Sequence, residues 1–139
     1  MIAYLDSSVL LRLVLGQPGA LAEWRDVESG VASALVEVES LRTLDRVRLR
    51  EGLSDRETAR RREALFRLLD TIELVEITRP VLSRAAQPLP TELGTLDAIH
   101  LATALLWQET TDRRLTMATH DGALALAARA HGLAVVGAA

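Results

Sequence analysis

Short apolar runs alternate along the chain with longer stretches of helical period. Ile2-Ala3-Tyr4-Leu5 is such a run, ended by Asp6-Ser7-Ser8. It predicts a buried strand and then a helix with a serine hydroxyl as its N-cap. The helix continues over residues 9–15 until Gly16-Gln17-Pro18 stops it. Residues 19–29 read as a second helix closed by Gly30, and Val31-Ala32-Ser33 as a brief second strand. A longer helix is predicted over 34–50, with Leu35, Val38, Leu41, Leu44 and Val47 as its apolar stripe. Glu51-Gly52-Leu53 breaks it. Ser54 and Glu57 then have the spacing of a capping box, which opens a helix running to Asp70.

Residues 72–77 alternate apolar with acidic and predict a strand; 80–87 predict a short helix. Pro88, Pro90 and Gly94 mark an irregular connection, after which Thr95 caps a helix over 96–108. A strand at 115–118, a helix at 121–131 and a strand at 133–136 complete the chain. Strands alternating with helices predict a three-layer α/β/α fold around a mostly parallel, five-stranded sheet. The length of 139 residues fits one domain spanning 1–139. There is no internal repeat, linker or low-complexity tract to divide it.

This order of elements gives four acids a common address. In open parallel sheets, ligands sit outside the carboxyl ends of the strands. Asp6 ends the first strand, and Asp121 follows the strand at 115–118. Asp97 lies in the first turn of one helix and Glu39 in the second turn of another. Helices that follow strands begin at the same rim. Crowded carboxylates repel one another and resist burial, and a hard divalent cation relieves both penalties. Magnesium or manganese prefers carboxylate and water oxygens, and such a site suits phosphodiester hydrolysis. Taken one at a time, these acids have ordinary roles as well. Asp6 and Asp121 suit helix caps, Asp97 suits a helix dipole, and Glu37 competes with Glu39 for the place in the pocket.

Composition narrows the chemistry. The chain has no cysteine, so disulfides, thiolate metal sites and cysteine nucleophiles are excluded. It also has no lysine; all 16 basic residues are arginine. P-loop and Schiff-base chemistry are thereby excluded, as are receiver domains and haloacid-type phosphatases, which use a lysine in comparable acidic pockets. A net charge of −3 excludes nucleic-acid coating by bulk positive charge. The N-terminal residues resemble neither a signal peptide nor a membrane anchor, so a cytoplasmic protein is expected.

The stretches YLDSSVLLRLVL (4–15), ASALVEVESLRTL (32–44), LGTLDAIHLATAL (93–105) and THDGALALAARAHGLAVV (119–136) carry a family resemblance. In this order they resemble PIN-domain ribonucleases, in particular VapC-type toxins of bacterial toxin–antitoxin pairs. The resemblance matches the family's acidic metal ligands to Asp6, Glu39, Asp97 and Asp121, and leaves Glu37 outside the pattern. It matches supporting hydroxyls to Ser8 and Thr119. It implies a Mg2+- or Mn2+-dependent endoribonuclease cutting structured RNA, such as tRNA or rRNA, with a VapB-like antitoxin and a homodimeric state. A PIN nuclease of RNA processing and a non-catalytic PIN-like binding domain are the alternatives.

Residues 42–67 hold nine arginines against five acids. Arg42 and Arg46 lie one and two turns beyond Glu39, and with the weaker candidate Arg12 they are expected to contact RNA or antitoxin. Helical Arg–Glu pairing is the expected role of residues 56–62. His100, one turn after Asp97, is expected to be a hydrogen-bonded, partly buried histidine rather than a ligand. His120 adjoins the rim. Tyr4, Trp24, Phe66 and Trp107 are too few for a base-stacking platform; the last three suit packing or a dimer interface.

Overall fold

The short apolar runs pair side by side, since strands covered on both faces can bury every side chain. The computed structural model describes residues 1–138. Its strands are β1 (Ile2–Leu5), β2 (Ser29–Ser33), β3 (Ile72–Val75), β4 (Thr116–Ala118) and β5 (Ala134–Val136). They form one all-parallel sheet in the order β3-β2-β1-β4-β5. The helices are α1 (Ser7–Leu15), α2 (Leu35–Glu51), α3 (Asp55–Asp70), α4 (Arg79–Ala85), α5 (Thr95–Thr111) and α6 (Gly122–Ala130).

The chain steps outward from β1 to β2 and β3, then returns to the other side of β1 for β4 and β5. Right-handed crossovers put helices on opposite faces when the stepping direction reverses. Accordingly Ala3, Leu5, Ala32 and Ala118 pack toward α1, α2 and α3, through Val9, Leu10, Val36, Leu44, Leu65 and Leu69. Tyr4, Val31 and Met117 pack toward α5 and α6, through Leu101, Ala104, Leu105, Leu124, Ala127 and Ala128. The reversal leaves a crevice at the carboxyl ends of β1 and β4, and Asp6 follows β1 directly.

Several local expectations give way to tertiary structure. Residues 19–29 form only one turn of 3-10 helix, Ala22–Asp26, because Ser29 and Gly30 belong to β2. Gly30 ends no helix. A Cβ there would lie 2.7 Å from Leu5 Cδ1 and 3.3 Å from Ile72 Cγ1, so glycine lets side chains of β1 and β3 close over it. Along α2 the inward face is Val36, Ser40 and Leu44, whereas Val38 is 52% exposed. Val38 lies about 200° around the helix from Val36, so the two cannot share a face. Thr95 is the first residue of α5 rather than its cap, a position held by Gly94. Asp6 is the cap residue of α1, but no side chain closes that cap. Ser54 does cap α3, its Oγ accepting from Glu57 N–H at 3.1 Å. The Glu57 carboxylate turns instead to Arg60 and Arg61.

Candidate active site

The rim of the crevice is built by backbone pairing first. Asp6 N–H donates to Ala118 O at 3.1 Å, carrying the β1–β4 ladder one residue past the strand. That fixes Asp6 beside Thr119. Asp6 is 4% exposed, a burial an ionised carboxylate tolerates only with strong donors. Two hydroxyls supply them to one oxygen: Ser8 Oγ and Thr119 Oγ1 each donate to Asp6 Oδ2 at 2.8 Å. Both serine and threonine therefore stand behind Asp6. Ser8 Oγ also accepts from His120 N–H at 3.0 Å, tying α1 to the loop after β4.

Asp121 has two roles. Its Oδ1 accepts from Leu124 N–H at 2.9 Å and caps α6, while its own N–H donates to Thr119 Oγ1 at 3.0 Å. It is the exposed member of the four. Asp97, in the first turn of α5, records the crowding. Burial, then the charges of Asp6 and Asp121, and more weakly that of Glu39, push its carboxyl up from 3.8 to about 6. His100 works in the opposite direction on it.

Glu39 reaches the same rim from the other helical layer. Its Oε1 lies 2.5 Å from His100 Nε2, and that nitrogen is 4.0 Å from Asp6 Oδ1. His100 is fully buried, and its Nδ1 lies 2.6 Å from Tyr4 Oη. Tyr4 Oη accepts from Ser33 N–H at 3.0 Å. Burial disfavours charge on His100, but the hydrogen bond to Glu39 and the fields of Glu39, Asp6 and Asp97 outweigh it and raise its pKa. Burial pushes the Tyr4 phenol well above its ordinary value, so it stays protonated.

The donor set that gathers here is carboxylate oxygen, which suits a hard divalent cation, and the Asp97 shift shows electrostatic strain that a cation would relieve. Among the described residues, no three Asp, Glu, His or Cys side chains stand close enough to grip an ion as they are. The acids are assembled at one rim without being closed into a preformed cage.

A family model described as PIN domain matches residues 3–130. The chain belongs to the PIN-domain family. It is 36% identical over 136 residues to Ribonuclease VapC46 of Mycobacterium tuberculosis, covering 96% of this chain and 95% of that protein. It is 33% identical over 103 residues to Ribonuclease VapC47 of Mycobacterium tuberculosis, covering 73% of each chain. Among these relatives it is a VapC-type PIN domain. Its fold is similar to that of FitAcB from Neisseria gonorrhoeae, with a TM-score of 0.70 and 22% identity over 97% of this chain and 96% of that one. It is also similar to PAE2754 from Pyrobaculum aerophilum, with a TM-score of 0.62 and 20% identity over 96% and 81%.

The arginines of this PIN domain are placed less centrally than its acids. Arg42 is exposed and pairs with Asp45 at 3.3 Å, and Asp45 also holds Arg48 at 3.0 Å. Arg46 is exposed and donates to Thr43 Oγ1 at 3.1 Å. Arg12 donates to Gly19 O at 3.1 Å. Arg60 and Arg61 both pair with Glu57, the solvated helical pairing expected there. Trp24 packs on the core, Trp107 Nε1 donates to Glu73, and Phe66 lies under Arg62 at 5.5 Å. No helix among the described residues is long and apolar enough to cross a membrane.

The four acids and a hydrogen-bonded His100 were expectations of the sequence; the link from Tyr4 through His100 to Glu39 was not. Two periodic signals point to it. Tyr4 is two residues before Asp6 on a strand, and His100 is three after Asp97 on a helix.

Proposed function

We propose that this PIN domain is a divalent-metal-dependent endoribonuclease and the toxin of a type II toxin–antitoxin pair. The single observation that carries the metal reading is Asp97, driven up to about 6 by burial and by neighbouring carboxylates at the switch of strand order. The named activity of the VapC46 and VapC47 relatives supports RNA as the substrate.

Asp6, Glu39, Asp97 and Asp121 would hold Mg2+ or Mn2+. When bound, such an ion activates water and stabilises charge on the phosphoryl oxygens during phosphodiester hydrolysis. The chain's own part is orientation. Ser8 and Thr119 fix Asp6 by holding Oδ2, and His100 holds Glu39 by Oε1. Asp121 N–H keeps the Thr119 hydroxyl aligned, so the proton on Oγ1 is directed to Asp6.

The cytoplasm is the proposed location. The partners in this reading are RNA, a VapB-like antitoxin and a second copy of the chain. Exposed Leu82 on α4 and Leu96 on α5, at 43% and 50%, support an apolar contact of the last kind. The direct test is RNA cleavage by purified protein with Mg2+ or Mn2+. Cleavage is expected to stop with chelator and in Asp6→Asn and Asp97→Asn. Unchanged cleavage in all three would overturn the reading.

A further inference from the structure

We propose that Tyr4 and His100 are positioning residues that aim Glu39 into the acidic pocket, leaving its Oε2 free for the cation. This inference rests on the metal-nuclease reading above. Glu39 is on α2, in the layer packed against one sheet face, and its neighbours Glu37 and Val38 are exposed. A glutamate so placed has several open rotamers, and nothing on its own helix selects the inward one. The selection comes from across the sheet. His100, on α5 in the opposite layer, is fully buried and meets Glu39 Oε1 at 2.5 Å.

The hydrogen-bond order follows from its fixed end. Ser33 N–H can only donate, so Tyr4 Oη accepts it at 3.0 Å and has its own proton to give. Thr103, whose own hydroxyl proton goes to Ile99 O at 2.7 Å, also adjoins Tyr4; with the Tyr4 proton given to His100 Nδ1, at 2.6 Å, Nδ1 is an acceptor and the ring proton is on Nε2. Nε2–H then donates to Glu39. A second proton on the ring leaves Nε2–H in place, so the direction toward Glu39 is the same in either charge state. This also decides against His100 as a metal ligand, since neither nitrogen has a lone pair to offer. The relay joins β2, β1, α5 and α2 through four residues, and its outer end is the one carboxylate that arrives from the α2 layer. Hydrogen bonds behind ligands are worth roughly 10–100-fold in metal affinity.

The test uses the full-length protein without RNA. Mn2+ binding is measured by calorimetry for wild type, Tyr4→Phe, His100→Ala and His100→Gln, with thermal melts to verify folding. His100→Ala is expected to weaken Mn2+ binding by about 10–100-fold. Tyr4→Phe is expected to weaken it by a smaller factor, and His100→Gln, which keeps a donor, to recover part of the loss. Nitrogen NMR of labelled histidine in the metal-free protein, at a pH high enough to leave the ring neutral, is expected to show the Nε2–H tautomer at His100, disturbed in Tyr4→Phe. If His100→Ala does not fold, Tyr4→Phe and His100→Gln make the same comparison. Wild-type Mn2+ affinity in folded Tyr4→Phe and in folded His100 variants overturns the inference while the nuclease reading stands. A wild-type protein that binds neither Mn2+ nor Mg2+ overturns both.

Discussion

Thr119 Oγ1 lies 2.8 Å from Asp6 Oδ2 and joins two strand ends through one hydroxyl, since it also accepts Asp121 N–H at 3.0 Å. A buried carboxylate, a helix-capping acid and a fully buried threonine thus share one hydrogen-bonded corner. Thr119→Val keeps the shape and removes both bonds. A hydrogen bond to a charged group contributes about 1.5–3 kcal/mol, so a loss of that order is expected in urea unfolding. Thr119→Ser is expected to stay within about 1 kcal/mol of wild type. Equal midpoints for Val and wild type would show that this corner does not hold Asp6.

The crowded acids are expected to make the metal-free protein less stable near neutral pH than in mild acid. Asp97 titrates at about 6 when folded, above its ordinary 3.8, so protonation favours the folded state as pH falls through that window. His100 acts with the same sign. Its folded pKa is raised, so its stabilisation is present below its ordinary value of 6.5 and is lost as pH rises through the folded value. The melting temperature in chelator is therefore expected to rise from pH 8 to about 5. Asp97→Asn is expected to raise it at pH 7 while abolishing cleavage. Added Mn2+ is expected to raise the wild-type melt more at pH 7.5 than at pH 5. A flat chelated profile between pH 8 and 5 would contradict the strain read from Asp97.

Asp121 separates a structural from a chemical role within one side chain. Asparagine caps helices about as well as aspartate, so Asp121→Asn is expected to keep the melting temperature. Asp121→Ala removes the bond to Leu124 N–H and is expected to cost about 1 kcal/mol. Both lose the charge and are expected to lower cleavage, though less than Asp97→Asn, because Asp121 is exposed and one of its oxygens is already engaged. Full activity in a stable Asp121→Asn would reduce this residue to a cap.

What the sequence makes legible here is what local chemistry determines. β1 and Asp6 are readable because a short apolar run ended by Asp-Ser-Ser has few other solutions, and Ser54 is readable because its cap partner is three residues away. The inward face of α2 is not readable in the same way. Val36 and Val38 are equally apolar, and only packing against α1 and α3 chooses between them. The turn at Ala22–Asp26 is shortened by the pairing of Ser29 and Gly30 with β1, a partner far away in sequence. His100 meets residues 96 and 61 positions away, so no window of sequence contains the reason for its burial. The common rim of the acids is legible because topology alone brings strand ends and helix starts together; Ser8 and Thr119 behind Asp6 are legible through the family resemblance, and the link from Tyr4 through His100 to Glu39 is not.

Arg46 gives a prediction about RNA that does not involve the acids. It lies two turns beyond Glu39 on α2 and rests on the neutral Thr43 hydroxyl, so no carboxylate among the described residues offsets its charge. Arg42, one turn nearer, is held by Asp45, which also binds Arg48. If RNA phosphates run along α2, Arg46 is the better contact and Arg42 the weaker. Each phosphate contact on single-stranded nucleic acid steepens the fall of affinity with salt by about 0.7 in a double-logarithmic plot. Arg46→Ala is therefore expected to raise KM several-fold at low salt, leave kcat within about twofold, and flatten that slope by about 0.7. Arg42→Ala is expected to change the slope less, because freeing Asp45 from one arginine leaves it paired with the other. Measuring KM from 50 to 200 mM salt checks both, and an unchanged slope in Arg46→Ala would place the RNA off this helix face.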